Sequence, residues 1–257
     1  MVSFIDCHLS LKKCSPFNGG KFEGWGTSFC WWPNRIGYLD ELSEQAAKLF
    51  FDPKEGLGLN IIRYNIGGGD DPTHHHITRT DSMVPGYAIN PSHDANGYHW
   101  SYDWNADQNQ RNVLIKVAEC YGKDLIVEGF SNSPPYFMTN SGCSSGSVNA
   151  GENNLREDAY GAFASYLADV AQHFSKEWGI HFQSMTAMNE PDTEYWHALS
   201  DKQEGCHFDP GESQSVMIIA LREALDERGL NDILISGTDE TGIDCQINSI
   251  NSLSEVA

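Results

Sequence analysis

What most constrains this chain is the alternation of short apolar runs with longer segments of helical period. Runs rich in β-branched and other apolar residues stand at 24–30 (GWGTSFC), 59–66 (LNIIRYNI), 125–130 (LIVEGF), 182–189 (FQSMTAMN) and 233–236 (ILIS), with a weaker one at 204–208 (EGCHF). Their length, and the Gly, Pro, Asn and Ser that bound them, predict strands buried on both faces of a parallel sheet. Between them, Leu39, Leu42, Ala46, Leu49 and Phe50 recur at helical steps. So do Phe163, Tyr166, Leu167, Val170 and Phe174, and later Met217, Leu221, Ala224 and Leu225. Asn105 stands where it would cap a helix over 106–120 that turns Val113, Leu114 and Val117 inward, and Gly229 where it would end a later one. Repeated strand–loop–helix units imply right-handed crossovers, in either a closed barrel or an open doubly wound sheet.

Two features favour the barrel. The segments 67–104 and 131–157 are long, aromatic-rich loops at strand ends, where barrel enzymes build their sites. No glycine-rich phosphate loop opens a helix. Gly67-Gly68-Gly69 runs instead into Asp70-Asp71-Pro72, whose carboxylates would repel a phosphate. The expected architecture is therefore a (β/α)₈ TIM barrel with about six of its eight β/α units present over 21–257, and residues 1–20 as an N-terminal extension. With no repeat or linker, 257 residues are read as one domain.

Composition narrows the partners. Sixteen basic against 36 acidic residues give a net charge of −20, which disfavours nucleic acid and anionic membrane surfaces. No apolar run is long enough to span a bilayer, and the first residues lack the apolar core of a signal peptide. Seven scattered cysteines without a CxxC pair argue against a zinc ribbon or a disulfide framework, leaving open one bridge such as Cys143–Cys206.

The strongest chemical signal is Met188-Asn189-Glu190-Pro191, at the end of an apolar strand. A carboxylate there projects into a barrel mouth, Asn189 offers both a donor and an acceptor to a sugar hydroxyl, and Pro191 stops the strand. Glycosidic cleavage needs such an acid together with a second carboxylate. Asn189-Glu190-Pro191, Gly24-Trp25-Gly26-Thr27-Ser28-Phe29-Cys30-Trp31-Trp32 and Asn60-Ile61-Ile62-Arg63-Tyr64-Asn65-Ile66-Gly67-Gly68-Gly69-Asp70 together resemble glycoside hydrolase family 30. So do 128–139 (EGFSNSPPYFMT), 204–208 and 236–241 (SGTDET), while the loop 70–87 looks most like the branch acting on β-1,6-linked galactan.

That resemblance implies a retaining hydrolase on a (β/α)₈ barrel, usually with a small β-sandwich side domain built from both chain ends. Glu190 would be the acid/base, Asn189 its substrate-binding neighbour, and Arg63 would lie under the catalytic subsite. The nucleophile is expected as a glutamate on the seventh strand, beyond Ala257. Glu240, at a strand end, is expected to contact ligand or to hold Glu190 rather than to be the catalytic partner, which retaining chemistry places about 5–5.5 Å away.

Trp32 and Trp196 are candidate sugar platforms, because sugar C–H faces stack on indole, although aromatics also bury loops against a barrel. Tyr136, behind the stiff Pro134-Pro135, Asp70 and His207 complete the expected substrate contacts. His74-His75-His76 predicts no metal site, since consecutive loop histidines cannot all face one ion and no local spacing completes a ligand set. Paired carboxylates need no cofactor, and no serine-hydrolase elbow is present. The expected partner is a β-linked galactose polymer or oligomer; the alternatives are β-1,6-glucan or xylan within the family, or a non-catalytic carbohydrate-binding protein or inactive fragment. Compartment and oligomeric state stay open, as the family is often secreted but no export signal is visible.

Overall fold

The computed structural model describes residues 21–255 and 257, so the reading of residues 1–20 falls outside them. Five strands pair in parallel in the order β1 (Gly26–Ser28), β2 (Ile61–Asn65), β5 (Ile126–Phe130), β6 (Ser184–Thr186), β7 (Leu234–Ile235). Helices α1 (Trp32–Ile36) and α2 (Asp40–Phe51) follow β1. They are succeeded by α3 (Gln108–Tyr121), α4 (Tyr160–Trp178), α5 (Glu212–Glu227) and α6 (Ile243–Ser252), one after each later strand of this sheet.

Every strand therefore lies beside its predecessor in the sheet, as βα units rolling up a barrel must. The described residues supply five such units rather than six. The run 204–208 forms no strand. It is a buried coil whose backbone is tied to other loops, Gly205 N–H donating to the Ser144 carbonyl at 2.9 Å. The stretch 233–236 is thus the fifth strand of the sheet, not the sixth. The long loop 67–104 also holds an unforeseen antiparallel hairpin, β3 (Ala88–Asp94) with β4 (Gly97–Tyr102).

Helix faces follow the apolar periodicity in the middle of the sheet. Phe163, Tyr166, Leu167, Val170 and Phe174 of α4 are fully buried, as are Val113, Leu114 and Val117 of α3. Each such side chain contributes about 1.5–3 kcal/mol through removal from water. Gly229, at φ +72°, ends α5 in the left-handed conformation that glycine adopts without strain. The cap of α3 falls on Asp107 rather than Asn105, whose backbone N–H instead bonds Asp103 Oδ1 in a turn.

On α2 the periodicity misleads: Ser43, Ala47 and Phe51 are buried, while Leu39, Leu42 and Leu49 are exposed. Leu57, in the loop after α2, is exposed as well. Leu234, Ile243, Ile247 and Ile250 are likewise exposed, on β7 and α6. Among the described residues no helix is long and apolar enough to cross a membrane.

Candidate active site

The register sets a polar row across the inner face of the sheet. Ser28 pairs with Arg63, Arg63 with Glu128 and Glu128 with Ser184, so alternate residues of neighbouring strands point the same way. Arg63 donates from Nε to Glu128 Oε1 (3.0 Å) and from Nη2 to Asn189 Oδ1 (3.0 Å) and to Asp239 Oδ2. Its guanidinium lies 3.6 Å over the centre of the Phe130 ring. Glu128 Oε2 accepts the hydroxyls of Ser184 (3.0 Å) and Ser236 (2.8 Å). Burial, opposed by Arg63, raises the Asp239 carboxyl above the ordinary carboxylate range. Glu128 and Asp239 were not foreseen. Both lie in stretches that carry the family resemblance, 128–139 and 236–241, but only strand pairing shows that they meet at Arg63.

Glu190 leaves the end of this row. Pairing of β6 with β7 continues as a bridge between Asn189 and Asp239, and the Glu190 N–H donates to the Asp239 carbonyl at 2.7 Å. At φ +50° Glu190 occupies the left-handed region, uncommon for a residue with a side chain, and its chain turns sharply before Pro191. Three side chains fix that turn. Thr193 Oγ1 (2.7 Å) and Trp196 Nε1 (3.3 Å) donate to the Glu190 carbonyl, and the Tyr195 hydroxyl donates to its carboxylate at 2.6 Å. Burial, then the Glu190 carboxylate, pushes the Tyr195 phenol above its usual range.

The remaining expected residues divide. Trp196 is buried at 7 % exposure and presses on Gly205, where a Cβ would lie 2.2 Å from the indole; it props Glu190, while its neighbour Tyr195 is the exposed aromatic. Trp32 packs edge-to-face between Phe29 and Phe50, with its Nε1 donating to the Ser28 carbonyl at 3.2 Å, so its partly buried ring rests against the core. His207 is buried and bridges the Thr193 carbonyl (2.9 Å) and Asp209 (3.1 Å). Glu240 accepts the Asp192 N–H at one oxygen (3.0 Å), and Ser249 (2.7 Å) and Gln214 (3.3 Å) at the other, bracing the turn two residues past Glu190.

Asp70 and Tyr136 stand apart from Glu190's bonds and line a cleft of about 710 Å³ with Asp71, His75 and Glu204. Glu204 is buried there and accepts the Gly69 N–H at 2.9 Å; burial, reinforced by Asp70, pushes its carboxyl well up. Cys143 and Cys206 are free thiols, so the bridge left open between them is not formed. The expectation that the histidine run lacks completing ligands fails in space. Asp70, His74, His76 and Cys143 bring one ligand atom each to within 4.8 Å of one another, with His75 outside the group. Alternate residues of an extended loop share a face, and Cys143 comes from another loop entirely.

Residues 21–241 match the model of O-glycosyl hydrolase family 30. The chain is 38 % identical to an endo-beta-1,6-galactanase of Hypocrea rufa over 255 residues, covering 92 % of this chain and 50 % of that protein. It is 27 % identical to an exo-beta-1,6-galactobiohydrolase of Bifidobacterium longum subsp. longum, covering 88 % of this chain and 20 % of that one. The chain thus spans half or less of the length of these curated relatives. Among solved structures, a conserved exported protein from Bacteroides fragilis superposes with a TM-score of 0.71 at 25 % identity, covering 85 % of this chain and 44 % of that one. The catalytic domain of xylanase C from Talaromyces cellulolyticus does so with a TM-score of 0.65 at 20 % identity, covering 89 % and 48 %.

Proposed function

The chain belongs to glycoside hydrolase family 30, and from that premise we propose that the protein it represents is a retaining hydrolase of β-1,6-linked galactan with Glu190 as its acid/base. The observation that carries this reading is the placement of Glu190. Its N–H donates to the Asp239 carbonyl and its carbonyl accepts Thr193 and Trp196, which holds its backbone at a strand end beside the Arg63–Asn189–Asp239 row, while the Tyr195 hydroxyl donates to its carboxylate.

Glu190 protonates the leaving glycosidic oxygen, then removes a proton from the water that releases the glycosyl-enzyme intermediate. Asn189, oriented by Arg63, is the neighbouring sugar contact. The nearby carboxylates are engaged otherwise, Glu128 and Asp239 on Arg63 and Glu240 on the turn at Asp192. In this reading the nucleophile is a glutamate beyond residue 257. The name of the Hypocrea relative at 38 % identity favours galactan over β-1,6-glucan or xylan.

The test is release of reducing ends from β-1,6-galactan, β-1,6-glucan and xylan by a protein of the relatives' full length, with Glu190→Gln beside it. A loss of about 10²–10⁴-fold in kcat on galactan is expected from removing an acid/base. Turnover by Glu190→Gln within a factor of a few of the parent would refute the assignment, and preference for xylan or β-1,6-glucan would refute the substrate.

A further inference from the structure

Four side chains from two loops converge apart from Glu190 and the Arg63 row, and only Asp70 among them is also an expected sugar contact. Asp70, His74 and His76 come from the loop after β2, and Cys143 from the loop after β5. His76 Nε2 lies 2.5 Å from Asp70 Oδ2 and 3.3 Å from Cys143 Sγ, and His74 Nδ1 lies 3.5 Å from Asp70 Oδ1.

The atoms behind these four are held as well. His76 Nδ1–H donates to the Ser200 carbonyl at 2.6 Å, which aims Nε2 at Asp70 and Cys143, the usual support of a metal-binding imidazole. Ser144 N–H donates to Asp70 Oδ1 (3.1 Å), and Leu199 N–H donates to Cys143 Sγ (3.3 Å). His74 Nδ1 is shielded from solvent and has no hydrogen-bond partner, a buried polar atom aimed at the Asp70 carboxylate. No lysine or arginine among the described residues bonds to any of the four.

We propose that Asp70, His74, His76 and Cys143 bind one divalent transition-metal cation of borderline softness, zinc in particular, which clamps the loop after β2 to the loop after β5. Two imidazoles, a thiolate and a carboxylate are a zinc-type set, and magnesium or calcium would demand oxygen ligands. Carboxylate and thiolate together carry two negative charges, which a divalent cation neutralises. Bonds of about 2.0–2.3 Å in a tetrahedron hold ligand atoms roughly 3.3–3.6 Å apart. The cluster therefore needs to open slightly between His76 and Asp70 and to close elsewhere.

With four protein ligands no position remains for substrate, so the metal is structural. The two loops already touch backbone to backbone, since a Cβ on Gly68 would fall 2.5 Å from the Ser133 carbonyl oxygen. The cleft of about 710 Å³ lined by Asp70, His74 and Tyr136 lies against this clamp, so the metal would set the shape of one wall.

The experiment uses the 257-residue chain stripped by a chelator, titrated with zinc by calorimetry and with cobalt by absorption. One zinc per chain is expected, and cobalt should give the intense visible bands of a tetrahedral site with a thiolate charge-transfer band in the near ultraviolet. Cys143→Ser should abolish the charge-transfer band, while Cys206→Ser leaves it unchanged. His74→Ala, at a half-buried position that tolerates truncation, should weaken zinc binding by about a hundredfold or more; changes even beyond the ligands cost about 10–100-fold. Circular dichroism establishes that each variant is folded. If Cys143→Ser does not fold, His74→Ala decides. Absence of stoichiometric zinc, a charge-transfer band that survives Cys143→Ser, or unchanged affinity in folded His74→Ala would each overturn the proposal.

Discussion

Arg63 and Cys143 each stand where loops or strands distant in sequence meet, yet the two places balance their charges differently. Around Arg63 the chain provides its own cation: one guanidinium reaches Glu128 and Asp239, with Asn189 completing the fan. Around Cys143 a carboxylate, a thiol and two imidazoles gather with no lysine or arginine among the described residues bonded to them. A cluster closed by its own cation holds its geometry without help, and such rigidity is what a reacting centre requires. A cluster lacking one leaves donor atoms facing each other, and a cation from solution is the simplest means of reconciling them.

The sharpest way to break this comparison is to delete the internal cation. Arg63→Ala strands the Glu128 and Asp239 carboxylates on one partly buried row. Because these side chains are 25–43 % exposed, the cost is discounted to about 2–3 kcal/mol from the 3–5 typical of fully buried pairs. Urea unfolding should report that loss, and Arg63→Lys should recover part of it, since a single ammonium cannot reproduce a planar fork. An unchanged midpoint in Arg63→Ala would mean that the row is not held by its cation.

A pH series sharpens the contrast with a third arrangement, a buried carboxyl with no ion-paired partner. Asp107 accepts the Tyr64 hydroxyl and Gln110 (2.7 Å) at one oxygen, and burial pushes it up to about 7. A carboxyl raised in the folded state keeps its proton longer there than in the unfolded chain. Its stabilising contribution is therefore full below about pH 4 and is lost as pH rises through 7. Urea midpoints should fall across that window, and the Asp107→Asn variant should show a flatter profile. An equally steep fall in the variant would assign the effect to Glu204, which burial raises in the same direction.

The comparison also separates what the sequence made legible from what it did not. The positions of Glu190 at a strand end and of Arg63 within a strand were readable because each ends or occupies an apolar run whose strand character is local. The α4 face was readable because its five apolar residues form one continuous buried stripe. Leu42 and Leu49 misled because α2 carries apolar residues on more than one side, and periodicity alone cannot say which side meets α3. The Cys143 cluster was hidden because its fourth ligand lies 67 residues from His76, a separation set by the fold. Trp32 and Trp196 were read as platforms from their place after strand ends, which cannot say how far each is buried: nearly wholly for Trp196, partly for Trp32.

Glu240 gives a smaller effect but tests whether the reacting side of the comparison extends beyond Arg63. Its two oxygens accept three bonds from Asp192, Ser249 and Gln214, so Glu240→Gln should cost about 1 kcal/mol and lower kcat by roughly tenfold through the slackened turn at Glu190. A rise in KM with kcat unchanged would show instead that Glu240 contacts the sugar in ground and transition states alike.

The smallest expected change isolates the one bond that, among the described residues, reaches the Glu190 carboxylate from a side chain. Tyr195 is about half exposed, so Tyr195→Phe removes a hydroxyl that water can replace, and stability should move by no more than about 0.5 kcal/mol. The effect belongs in catalysis, because without this donor the carboxylate samples more rotamers around a backbone that Thr193 and Trp196 still hold. A severalfold fall in kcat on galactan with KM nearly unchanged is expected. A larger fall, approaching that of Glu190→Gln, would make the hydroxyl a participant in proton transfer. No fall at all would place the orientation of Glu190 wholly in its backbone, as the bonds to its N–H and carbonyl would then suffice.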